Sequence, residues 1–115
     1  MFSKAYNLVK APKLPATTLS KGCYWYMFEE CAITTAPDLL ADVLAVESYG
    51  HMFEGCSNLN YIRCLATNRN AKACTVDWLK SVSATGTFIK HPQISWGTGV
   101  GSIPSGWNVI DEVIS

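Results

Sequence analysis

The dipeptide Met1-Phe2 returns as Met27-Phe28 and again as Met52-Phe53, at offsets of 26 and 25 residues. A fixed period of this length constrains the fold more than any composition figure. Each unit is too short to bury a core alone and must stack on its neighbours. In register, the first unit spans 1–26, the second 27–51 and the third 52–77, the second being shortened most simply by a deletion between Ala32 and Ile33. Leu8, Ile33 and Leu59 then form one apolar column, Ala11, Ala36 and Ile62 another, and Leu14, Leu39 and Leu65 a third. Ala16, Ala41 and Ala66 form a small-residue column where neighbouring backbones approach closely. Trp78-Leu79 falls 26 residues after Met52-Phe53 and marks a degraded fourth start. The repeats therefore occupy 1–82. The Gly-, Ser-, Thr- and Pro-rich remainder, 83–115, reads as the C-terminal cap that a stacked array needs.

Local chemistry suggests what each unit contains. Leu8–Lys10 and Leu59–Ile62 suit short strands, and Pro12 and Pro37 belong at strand ends because proline donates no backbone hydrogen bond. Cys23–Phe28 and Ser48–Phe53 hold too few Gly or Pro residues for a loop and predict short helical turns. Ala71–Val82 predicts the most regular helix. The expected fold class is an α/β solenoid of three strand-plus-helical-turn units with a C-terminal cap.

Several function classes are excluded by the bounds. The chain has 115 residues, one domain's worth, and its nine basic and nine acidic residues balance without clustering. That removes the electrostatic case for nucleic acid as a partner. No apolar run approaches the roughly 18–20 residues of a membrane span, so no membrane insertion is expected. Met1–Lys10 lacks the apolar stretch of a secretory signal.

The runs MFEGCSNL and APKLPATTL, repeated at about 26 residues, resemble the BspA-like leucine-rich repeats of bacterial surface proteins. The stretches VSATGTFIKHP and SIPSGWNVID are similar to the ends of such arrays. The resemblance implies a right-handed leucine-rich solenoid, secreted or displayed on the cell surface, acting in adhesion or other protein binding. The chain departs from the pattern where Leu40 and Asp42 replace Pro15 and Thr17, and where Arg63-Cys64 replaces Pro12-Lys13.

Candidate sites are few. Cys31 and Cys56 share a slot held by Ala5, and Cys23 and Cys74 share one held by Ser48, so the thiols read as small packing residues. A Cys31–Cys56 bridge, one rung apart, stays open as an alternative. No cysteine or histidine spacing fits a metal site, and neither metal nor cofactor is expected. No nucleophile elbow surrounds a serine. His51 takes the slot of Tyr26 as a packing residue, and Gly97–Gly101 reads as a cap loop rather than a phosphate loop. With no catalytic constellation, the chain is expected not to be an enzyme. Two binding surfaces remain: a strand face carrying Lys10, Thr35, Tyr61 and Arg63, and an aromatic patch of Tyr24, Trp25 and Tyr49.

The first functional expectation is a protein-interaction module. The second is a structural or oligomerising segment of a larger assembly, such as a phage tail component, and a weaker third is a carbohydrate-binding module using the Trp and Tyr residues. An array that opens at Met1 without a cap is further expected to self-associate through its N-terminal edge, or to continue into upstream repeats.

Overall fold

The computed structural model describes residue 19, residues 21–99 and residues 101–112. Three short strands form one parallel sheet in the order β1-β2-β3, where β1 is Tyr61–Cys64, β2 is Gly86–Lys90 and β3 is Trp107–Asp111. Single bridges from Thr35 to Tyr61 and from Leu39 to Cys64 carry the ladder one rung back along the other side of β1. Along β1, Ile62 and Cys64 point into the core while Tyr61 and Arg63 face outward. The period of two is what a sheet with one buried face requires.

Among the described residues there is no helix. The expected α/β solenoid of leucine-rich strand-plus-helical-turn units is therefore corrected to a sheet-based fold with three parallel strands in one open sheet. Where Cys23–Phe28, Ser48–Phe53 and Ala71–Val82 predicted helical turns, residues 21–30, 46–55 and 72–81 run as consecutive turns.

The reason lies in how the backbone amides are used. Tyr24, Tyr26 and Phe28 donate their N–H groups to the carbonyls of Ser48, Gly50 and Met52 on the next rung. Tyr49, His51 and Phe53 donate in turn to Cys74, Val76 and Trp78. Residues between them close local turns, Met27 donating to Tyr24 and Met52 to Tyr49. Amides committed sideways cannot also make the i→i−4 bonds of a helix. The geometry requires a left-handed residue every fourth position: Gly22, Tyr26 and Glu30, then Glu47, His51 and Gly55, then Ala73, Asp77 and Ser81. A right-handed helix admits none of these.

Register departs from the sequence alignment at one point. Thr35 pairs with Tyr61 as the columns imply, but Leu39 pairs with Cys64 rather than Leu65. Leu39 and Cys64 are buried, and Leu65 is only half-buried.

Aromatic rings stacked from rung to rung hold the core. Phe28 lies over Phe53 with centroids 5.7 Å apart, and Tyr24, Tyr49, Trp78 and Trp96 follow one another at 5.9, 6.0 and 5.3 Å. The Arg69 guanidinium covers the outer end of that stack, 4.4 Å from the Trp96 ring. Indole donors pin the C-terminal segment: Trp78 Nε1 donates to the Ser102 carbonyl at 2.9 Å and Trp107 Nε1 to that of Ser83 at 2.8 Å. In the cap, Gly99 is left-handed at φ 137°, and Thr75 Oγ1 donates to the Gly101 carbonyl at 2.8 Å.

Candidate functional site

Along the inward column of the sheet, Ala36, Ile62 and Phe88 are 4%, 0% and 0% exposed, and then Val109 is 48% exposed. The core thus runs to the last strand and stops with its interior residue open. On the opposite face of β3, Ile110 is 49% exposed. A strand bearing bare aliphatic side chains on both faces is unusual at an edge, where charge or proline commonly blocks further pairing.

The backbone of β3 is open in the same place. Glu112 donates its N–H to the Lys90 carbonyl. In a parallel ladder that alternation turns the groups of Asn108 and Ile110 toward β2, and those of Val109 and Asp111 outward. Among the described residues nothing pairs with the outer edge. One charged guard sits at its far end, where Lys90 Nζ meets Asp111 Oδ1 at 2.6 Å. Beside the start of β3, Leu79, Ser81–Ala84, Thr98, Gly99 and Pro104–Gly106 line an open cavity of about 380 Å³.

The sequence-derived surfaces are placed as follows. Lys10 lies outside the described residues. Thr35 is exposed and Tyr61 half-buried beside it, so these two do share one face. Arg63 faces the same way but is held within the molecule, with Asp38 Oδ2 at 3.2 Å and Glu112 Oε2 at 2.7 Å. The Glu112 hydrogen bond raises its pKa further still, so the guanidinium stays charged and engaged. Of the aromatic group, Tyr49 is a core residue at 1% exposure, and burial pushes its phenol well above the ordinary range. Tyr24 is half-buried and stacks on Tyr49. Trp25 lies across Gly50 with its edge on His51, centroids 4.8 Å apart. These rings fill rungs rather than project from them.

None of the five cysteines is disulfide-bonded, Cys31 and Cys56 included, and Cys23 alone is exposed. The Cys56 Sγ–H donates to the Phe28 carbonyl at 2.9 Å, and burial pushes the Cys56 and Cys64 thiols up to about 12. Such thiols are inert nucleophiles at neutral pH.

Two groupings escaped the sequence reading. Val109 and Ile110 appeared only as an apolar island inside the cap, although the alternation in Trp-Asn-Val-Ile-Asp marks a strand. His51, Glu54 and Asp77 bring one nitrogen and two carboxylates together, and are the residues best placed to hold a metal ion. The repeat register places His51 and Asp77 one rung apart, which was the available signal.

No family model, curated protein or solved structure matches the chain. The leucine-rich strand-plus-helix solenoid that the resemblance implied is withdrawn, because the described residues hold no helix and three parallel strands in one open sheet.

Proposed function

We propose that the chain is a non-enzymatic protein-interaction module, and that it takes an extended segment of a partner protein as a further strand along the outer edge of β3. The observation that carries this reading is the coincidence at one edge of outward backbone groups at Val109 and Asp111 with exposed Val109 and Ile110. Strand addition draws affinity from main-chain hydrogen bonds and selectivity from alternate side chains. A segment with apolar residues at alternate positions would cover Val109 on one side or Ile110 on the other. The cavity beside the start of β3 offers room for a side chain at one end of that segment.

Panning short random peptides displayed on phage against the immobilised chain tests the proposal. Selected peptides should show alternating apolar residues and should lose binding to Val109→Pro. That substitution removes an outward donor while leaving the β2–β3 ladder intact. Peptides that bind Val109→Pro undiminished would refute the edge as the site. A concentration-dependent dimer in light scattering, abolished by Val109→Pro, would refute a foreign segment as occupant and assign the edge to a second copy.

A further inference from the structure

Tyr26, His51 and Asp77 occupy one column of the turn ribbons. Each is left-handed, with φ of 58°, 52° and 47°, and their rungs are joined by bonds from Tyr26 N–H to Gly50 and from His51 N–H to Val76. Glu54, three residues after His51, turns back so that its Oε1 lies 2.6 Å from His51 Nδ1. One donor atom each from His51, Glu54 and Asp77 falls within 4.8 Å of the other two. A metal bound about 2.0–2.2 Å from nitrogen and oxygen ligands sets neighbouring ligand atoms roughly 3–4 Å apart. Small rotations of the half-buried Glu54 and Asp77 side chains close that gap.

Two further features suit a cation. Two carboxylates face one imidazole, and among the described residues Asp77 makes no ion pair. The imidazole is also fixed in orientation, stacked flat on Tyr26 at 4.4 Å and met edge-on by Trp25.

We propose that His51, Glu54 and Asp77 form a binding site for a divalent transition-metal ion of the zinc class. An imidazole with two carboxylates suits zinc and its neighbours, whereas magnesium and calcium sites are built from oxygen alone. Binding replaces the His51–Glu54 hydrogen bond, and any proton on Nδ1 passes to solvent or to Nε2. Three protein ligands at a half-exposed rim leave a fourth position to water or to a group from a partner.

Titration of the full chain with zinc chloride in a calorimeter, and with cobalt(II) in an absorption spectrometer, tests the site. One ion per chain is expected, with affinity falling more than about tenfold in the isosteric Glu54→Gln and Asp77→Asn, since even loss of an outer hydrogen-bond partner costs that much at a metal site. Both variants should keep the metal-free thermal midpoint, and Cys23→Ser should bind as the parent does. Absence of a saturable heat in the parent would overturn the proposal, as would binding that survives Asp77→Asn. Binding that vanishes in Cys23→Ser, or a cobalt spectrum with thiolate charge transfer, would also overturn it by assigning the ion to a thiol.

Discussion

Ala73→Gly separates a turn ribbon from a helix by the sign of one number. In a helix interior the exchange costs about 0.8–1.0 kcal/mol. Ala73 is left-handed at φ 55°, where the Cβ crowds the following carbonyl at a cost of roughly 1–2 kcal/mol. Glycine removes that conflict but gives up about 0.5–1 kcal/mol in backbone entropy. The net expectation is a gain of about 0–1.5 kcal/mol, or a rise of up to roughly 6 °C in Tm for a domain of this size. Ala71→Gly, a few residues away at a half-buried position packed on the core, is the internal control. It carries no left-handed strain and should lose about 1 kcal/mol. Urea unfolding followed by tryptophan fluorescence gives both values. If Ala73→Gly destabilises by as much as Ala71→Gly, the left-handed column at 73, 77 and 81 is wrong, and with it the account of why no helix forms.

Other expectations follow from the same packing. Gly50→Ala sets a Cβ into the Trp25 ring and 3.1 Å from Val76 Cγ1. It should cost about 1–2 kcal/mol and shift Trp25 emission to the red, with the loss largely absent in a Trp25→Ala background. Gly86→Ala should cost more, because its Cβ would meet the Asn60 carbonyl and the Trp107 ring, each at 2.7 Å, and neither can swing aside. In the folded chain one thiol, Cys23, should react with an alkylating reagent at neutral pH, and five should react in denaturant. The Cys56 and Cys64 thiols rise from 9.0 to about 12 on folding. The native state therefore keeps protons that the unfolded chain sheds above about pH 9, so their contribution is complete below that pH and declines toward pH 12. Urea midpoints should fall across that window, and less steeply in Cys56→Ala.

The sequence made the rung spacing legible and left the rung's conformation hidden. Met-Phe recurrence located the buried Phe28 and Met52-Phe53 pairs and brought Ala36 to the level of Ile62, because apolar columns must align for a shared core to close. It misplaced Leu39 by one residue, since Cys64 and Leu65 satisfy the column equally well on polarity. The helical reading failed because propensity measures local preference, whereas the amides of Tyr24, Tyr26 and Phe28 are spent on the neighbouring rung. Non-glycine residues such as Tyr26, Glu47 and Asp77 adopt left-handed φ there without a compositional trace. For the sites, residue type suggested Arg63 and Tyr49 as binders, but Asp38 and Glu112 engage the first and the ring stack absorbs the second. The open edge at Val109 became visible only once the column Ala36, Ile62, Phe88, Val109 could be followed to its end.

That edge is tested most directly by residue-resolved amide hydrogen exchange on the isolated chain. Asn108, Ile110 and Glu112, whose N–H groups face β2, should exchange slowly, while Val109 and Asp111 exchange near the rate of an unstructured amide and become protected when a selected peptide is added. Val109 and Asp111 amides already as protected as Ile110 in the free chain would contradict the account, because the strand would then have no open side to offer.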